Sequence, residues 1–369
     1  MRLLQEENVN KTKVGIITFH NTTNFGSYLQ TLGLYQAIVD LGFDCSVIDY
    51  RCRAIEAAEL PSSAPKELSV REIVKFILFE PAKRKKYRAF RAAIKEKIRL
   101  TRAYTADTIK EANEDIDVFV TGSDILWDLD LTDNDMAFFL DFTDDNKKRI
   151  AYSTSIGEKW TPEKYERLKY LLKRYNHIAL REGSSAEWLG KLLDKKIDSV
   201  CDPTMLMNPD YWNDIIDKTN CTSTNKKDYI LVYFPNDKII HDAREYASEN
   251  DLDIVVINYG LKIKEVKNIS PHRVEEFLLL IRNAKLVLTS SYHGTLFAIY
   301  FNVPFYSYMR NNAHNVRFES LLAKLHFEDR LRNNDSEGGL SADIDFQLLQ
   351  NEVEEWRTES IKKLKEYLE

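Results

Sequence analysis

No window of the 369-residue sequence reaches the roughly 20 consecutive apolar residues of a membrane span. The opening segment, MRLLQEENVNKTK, has no apolar core of signal-peptide length. Cysteine is sparse: Cys45, Cys52, Cys201 and Cys221 show neither CxxC spacing nor a nearby histidine cluster. That excludes a disulfide scaffold or a zinc framework and implies reduced thiols in a cytoplasmic protein. No cluster of metal ligands stands out, so neither a metal nor a resident cofactor is expected. No GxGxxG fingerprint for a dinucleotide is present. An excess of positive charge is missing too, since 52 Lys and Arg against 58 Asp and Glu leave −6. That balance opposes a nucleic-acid partner.

What is present is alternation. Short β-branched runs such as Val14–Phe19, Val118–Thr121, Ile178–Leu180, Tyr229–Phe234 and Leu286–Thr289 are separated by helical patterns. Nearly continuous apolar strands between helices predict an α/β chain with parallel sheets covered on both faces. The length suits two domains. The polar stretch Asp217–Asp228 is the expected linker, and Ala54–Ser69, with two prolines, an expected long loop. The division is therefore 1–216, 217–345 and a helix over 346–369 that packs back on the first unit. Residues 83–102 hold ten Lys or Arg against one Glu, with Tyr87, Phe90, Ile94 and Ile98 at helical spacing. This basic helix is either a solvated face or a docking face for an anionic membrane.

Ligands of open parallel sheets bind beyond the carboxyl ends of the strands. After the first strand come Asn21, Asn24, Gly26 and Ser27, opening a helix. Small polar residues there either cap the helix or leave N–H groups for a sugar or an anion. After Thr121 come Asp124 and Trp127: a sugar-hydroxyl acceptor and a stacking ring, or a cap and core. Arg181 and Glu182 follow Leu180, giving an anion fork or a local ion pair. Asp202, in CDPTMLM, reads as structural. After Thr289 come Ser291, His293, Gly294 and Thr295, before a helix expected over Thr295–Phe301. A helix start, an imidazole and a glycine together suit an anion and a proton transfer. Arg310, His314 and Arg317 follow the next strand.

Read in order, FHNTTNFGSYLQTLGLYQAI, DVFVTGSDILW, RIAYSTSIG, ALREGSSAEWL, VCDPTMLM and LVLTSSYHGTLFAIYFNVPF resemble the blocks of the polysaccharide pyruvyl transferase family. The resemblance implies two Rossmann-like domains facing across a cleft, as in GT-B glycosyltransferases. It implies transfer of a pyruvyl group from phosphoenolpyruvate to a sugar of a cell-surface glycan precursor, as a cyclic ketal. The family histidine carries over onto His293 and its arginine onto Arg181. A loose match assigns a basic residue to Arg310. The family more often has Gln-Val-Trp-Asn after GSD, where this chain has Ile125, Leu126, Trp127 and Asp128.

On this reading His293, Asp124 and Arg181 are catalytic. Arg181, Ser291, His293, Gly294, Thr295, Arg310 and Arg317 hold the donor. Asn21, Asn24, Gly26, Ser27, Asp124 and Trp127 meet the acceptor, a glycan or lipid-linked oligosaccharide. Peripheral membrane contact and a homo-oligomer stay open. Two other functions also stay open: a GT-B glycosyltransferase using a nucleotide sugar, and an inactive glycan- or membrane-binding relative.

Overall fold

A computed structural model describes residues 11–65, 69–219, 227–310 and 315–369. His314, Cys221 and most of the expected linker lie outside the described residues.

The first sheet is built from β1 (Lys13–Ile17), β2 (Asp44–Tyr50), β3 (Leu100–Tyr104), β4 (Val118–Thr121), β5 (Lys148–Thr154), β6 (His177–Leu180) and β7 (Asp198–Ser199). Their spatial order is 3-2-1-4-5-6-7 and every pairing is parallel. The second sheet holds β8 (Tyr229–Tyr233), β9 (Asp253–Ile257), β10 (Lys267–Ile269), β11 (Leu286–Thr289), β12 (Phe305–Tyr308) and β13 (Leu331–Arg332). Its order is 10-9-8-11-12-13, again parallel throughout. The registers match in kind: Ile16 lies between Val47 and Val120, and Leu288 between Val232 and Tyr306. Both domains are thus Rossmann-like, each an open, wholly parallel sheet.

Helices cover both sheets: α1 (Phe25–Asp40), α2 (Arg53–Glu59), α3 (Val70–Lys97), α4 (Pro162–Lys173), α5 (Gly183–Leu193) and α6 (Pro209–Asp217), then α7 (Asp237–Asn250), α8 (Val274–Arg282), α9 (Tyr292–Tyr300), α10 (Val316–Lys324) and α11 (Phe346–Leu368). None among the described residues is long and apolar enough to cross a membrane. Three expectations shift. The stretch expected as a loop over 54–69 contains most of α2. The basic helix begins at Val70 rather than 83 and ends at Lys97, because Leu100–Tyr104 pairs with β2. Helix α9 starts at Tyr292, so His293 and Gly294 lie inside its first turn, where Ser291 Oγ accepts the Gly294 N–H at 3.2 Å.

One apolar core runs through both domains, from Val14 and Ile16 to Leu231 and Phe297. Its central joint is a stacked pair, Phe25 of α1 on Phe277 of α8, with centroids 4.4 Å apart and planes 3° apart. Helix α11 crosses between the halves. Its Gln350 Nε2 donates to Ile299 O at 2.8 Å. Farther along, Tyr152 of β5 donates to Ser360 O at 2.8 Å and Lys363 pairs with Asp198 at 2.8 Å. Phe25 is fully buried, so Phe25→Ala is expected to cost about 3–5 kcal/mol. Urea denaturation measures this, and a loss under 1 kcal/mol would show that the stack does not hold the domains together.

Candidate active site

In sheets of this order the chain turns opposite ways on leaving neighbouring central strands, which opens a crevice at that point. Here those strands are β1 and β4 in one domain and β8 and β11 in the other. The turns after β1, β4 and β11 meet. Asn24 Oδ1 accepts the N–H groups of Gly26 and Ser27 at 2.9 and 3.4 Å, capping α1. Gly26 is thereby set against the His293 ring: a Cβ on Gly26 would lie 2.0 Å from His293 Nδ1. Ser27 Oγ donates to Asp124 Oδ2 at 2.7 Å, tying the β1 turn to the β4 turn. Asp124 holds φ 79°, a left-handed conformation in which aspartate is among the better tolerated residues.

Asp202, just beyond β7, organises the rest. Its Oδ1 accepts the Thr204 N–H at 3.0 Å and the Thr204 hydroxyl at 2.8 Å. Its Oδ2 accepts Arg181 Nη1 at 2.8 Å, and His293 Nε2 stands 3.5 Å from the same oxygen, too far for a good hydrogen bond. Arg181 Nε donates to Glu182 Oε1 at 3.2 Å. The Arg181 guanidinium covers the Tyr292 ring at 4.5 Å, and Arg317 stands 5.8 Å from the same centroid. Arg181, Asp202 and His293 are 2%, 0% and 7% exposed, so the cluster is closed to bulk water.

Burial alone would raise the Asp124 and Asp202 carboxyls. Their neighbours His293 and Arg181 outweigh it, and both sit below the usual carboxylate range. Burial pulls Arg181 down, but Glu182 and Asp202 more than restore it. Burial lowers Arg317, and the charge of Arg181 lowers it further.

Three buried atoms of the cluster have no hydrogen-bond partner among the described residues: Arg181 Nη2, Glu182 Oε2 and His293 Nε2. Interiors pair nearly all such groups. The set presents a guanidinium nitrogen, a carboxylate oxygen and an imidazole nitrogen, which are the groups for an anion, a hydroxyl and a proton.

The sequence-derived residues divide. His293, Arg181, Asp124, Ser27, Gly26 and Arg317 converge. Trp127 does not reach the acceptor side: it is fully buried, stacks on Phe139 at 5.2 Å and donates to Phe138 O at 3.0 Å. The Asn21 side chain is taken by Glu56, at 2.6 Å, and by Tyr87 and Arg91. Ser291 caps α9 from within. Thr295 is fully buried with its hydroxyl 2.6 Å from Ser307 Oγ. Gly294 packs on Thr289, where a Cβ would meet Oγ1 at 2.8 Å, so it serves helix–strand packing rather than anion approach. Arg310 joins the same turn through Ser290 Oγ at 3.2 Å but covers Phe234 rather than His293. It lines a separate cavity of about 670 Å³ with Phe234, Asn236, Lys238 and Ser290.

Sequence reasoning missed Asp202 as the hub, although a carboxylate shortly after a strand was the available signal. It also missed the buried pair His20–Asp49, at 2.9 Å, which Arg51 completes. On α7, His241, Asp242 and Glu245 bring ligand atoms within 4.8 Å of one another. Asp242 is already held there by Lys238 at 2.7 Å and Tyr308 at 2.6 Å.

A carboxyl whose folded pKa lies below its unfolded value of about 3.9 adds stability above that pH and loses it as pH falls toward the folded value. Asp202→Asn is therefore expected to cost about 3–5 kcal/mol at pH 7 and to flatten the loss of stability below about pH 4. Denaturant unfolding from pH 7 to 3 checks this. A variant that parallels the parent at every pH would remove Asp202 as the hub.

The sequence profile of the family described as "Polysaccharide pyruvyl transferase" matches residues 24–312. A search of curated proteins gives no match. Among solved structures the chain is similar to a UDP-N-acetylglucosamine 2-epimerase from Rickettsia bellii, with 10% identity, 97% of this chain and 96% of that one covered, and a TM-score of 0.49. The UDP-GlcNAc 2-epimerase of Neisseria meningitidis gives 11% identity, 96% and 93% coverage, and 0.48. The glycosyltransferase SnogD from Streptomyces nogalater gives 13%, 95% of each chain, and 0.41. The profile match takes in the Gly26 and Asp124 turns, Arg181, Asp202 and His293, and by it the chain belongs to the polysaccharide pyruvyl transferase family.

Proposed function

We propose that the protein transfers the pyruvyl group of phosphoenolpyruvate to a sugar of a cell-surface polysaccharide precursor, closing a cyclic ketal. The observation that supports this most is the unpartnered trio Arg181 Nη2, Glu182 Oε2 and His293 Nε2. The donor carries a carboxylate and a phosphate, and forked guanidinium groups suit both. Arg181 offers the N–H groups of its unpartnered Nη2, with Arg317 beside it. Since Gly26 and Asp202 wall His293, donor entry parts the two domains and closure reseals them.

In the first step a sugar hydroxyl oxygen bonds to the central carbon of the donor while His293 delivers a proton to its methylene carbon. Glu182 Oε2 takes the hydroxyl proton. It is better placed for this than Asp124, whose oxygens already accept Ser27 Oγ and the Ile125 N–H. Phosphate then leaves with the carbon–oxygen electron pair, and a second hydroxyl oxygen bonds to the same carbon, closing the ring and passing its proton to His293, which gave up its own in the first step. Arg181 and Arg317 stabilise the departing phosphate. The acceptor approaches over the exposed Asn24 at the start of α1.

The cavity beside Arg310 favours a second reading, a nucleotide-sugar donor at the ends of β8, β11 and β12. Thermal unfolding separates the two. Phosphoenolpyruvate at 100 times its Kd is expected to stabilise the parent by about 2.7 kcal/mol, while UDP- or GDP-sugars do nothing. The reverse pattern would replace the pyruvyl reading.

His293→Ala is expected to lower ketal formation by about 100-fold or more and to keep donor protection. Full turnover in that variant would dismiss His293 as the acid. Gly26→Ala, which drives a methyl into the imidazole, is expected to lower kcat by about 100-fold without unfolding the chain. Unchanged kcat there would show that the seat of His293 is not needed.

A further inference from the structure

The first turns of α3 carry an apolar face that no described element covers. Val70, Val74, Ile77 and Leu78 are exposed by 79%, 47%, 64% and 61%. Their spacing of 4, 7 and 8 residues from Val70 places them on one side of the helix. Single exposed apolar residues need no account, but four in one stripe do. At 3.6 residues per turn the stripe continues through Pro81 into Arg84, Lys85 and Arg88, all exposed. Over residues 70–97 the helix holds ten Lys or Arg against three Glu, in a chain whose net charge is −6.

The inner side of the same helix also bears on the site. Phe76, Phe79 and Ala82 join Leu60 and Pro61 in lining a cavity of about 890 Å³ that also touches Thr23, the residue before the α1 cap.

We propose that the outer face of α3 docks on an anionic lipid bilayer. The apolar turns enter the acyl boundary and Arg84, Lys85 and Arg88 lie on the headgroups. An amphipathic helix that is apolar at one end and cationic at the other along one face has the makeup of an interfacial element. Residues 70–81 would lie along about 18 Å of surface. A second copy of the chain is a poorer occupant. Pairing this face with itself sets Lys85 and Arg88 against each other or against the apolar stripe. Docking carries the α1 turn toward a glycan held on a lipid, and it does not depend on which donor the site takes.

Co-sedimentation of the full chain with vesicles tests the proposal. The parent is expected to bind phosphatidylcholine vesicles containing phosphatidylglycerol, and at least tenfold more weakly to phosphatidylcholine alone. Ile77→Asp with Leu78→Asp, and separately Lys85→Glu with Arg88→Glu, are each expected to lower binding about tenfold or more. Both variants keep thermal protection by the donor, so a failure of docking is distinct from a failure of the pyruvyl reading. Three results would each overturn the proposal: no binding by the parent, equal binding by all variants, or a parent dimer in sedimentation velocity that Ile77→Asp with Leu78→Asp dissolves.

Discussion

A single buried carboxylate oxygen, Asp202 Oδ2, joins the two halves of the candidate active site. It binds the Arg181 guanidinium of its own domain at 2.8 Å and faces the His293 imidazole of the other at 3.5 Å. A carboxylate taken from water is costly unless it is paired and its remaining lone pairs are satisfied. Asp202 meets both conditions, because Thr204 fills its other oxygen twice. Arg181 is fixed in consequence, with Nε spent on Glu182, Nη1 on Asp202 and Nη2 left over. The direction of the His293 ring is set between this oxygen and the bare Cα of Gly26.

Much of the fold was legible in the sequence, because central strands covered on both faces must be apolar nearly throughout. Val118–Thr121 and Leu286–Thr289 are of that kind. Three of the four edge strands were not legible. Leu100–Tyr104, Lys267–Ile269 and Leu331–Arg332 are short and half polar, and only their neighbours make them strands. The site was partly legible for a related reason. Polar residues just past a buried strand are conspicuous, so Asp124, Arg181 and His293 stood out. Where a side chain points after the turn is not written locally. Trp127 turned inward to Phe139, Thr295 turned to Ser307, and Arg310 turned to Phe234. Asp202 was hidden because Asp-Pro-Thr is an ordinary helix start, and it is one here as well: the hub is also a cap.

The first turn of α1 is where the separate parts of the molecule touch. Phe25 stacks on Phe277 of the second domain, Gly26 seats His293, and Ser27 holds Asp124. The Lys86 ammonium of α3 lies 4.0 Å from the Phe25 ring centroid and 4.1 Å from that of Tyr259. Burial pushes this lysine down to about 7, and Glu59 opposes the shift. The aromatic faces also favour the charged form. The helix proposed to dock on the bilayer therefore rests directly on the turn that seats His293.

Helix α11 has a mechanical consequence. It belongs by sequence to the second domain, yet Tyr367 stacks on His177 at 4.4 Å and Lys363 grips Asp198, both on the first. If the domains part to admit the donor, as proposed above, α11 travels with the first. The slack must then come from the irregular residues 333–345 that precede it. Arg332 clasps the carbonyls of Ser336, Glu337 and Gly338, and Arg330 those of Ser341 and Asp343. Gly338 and Gly339 sit in the middle of that strap, where an added side chain would meet open space. The strap thus resembles a coiled tether fastened at two points by arginines, and under the proposed opening the length it can pay out would limit how far the domains part.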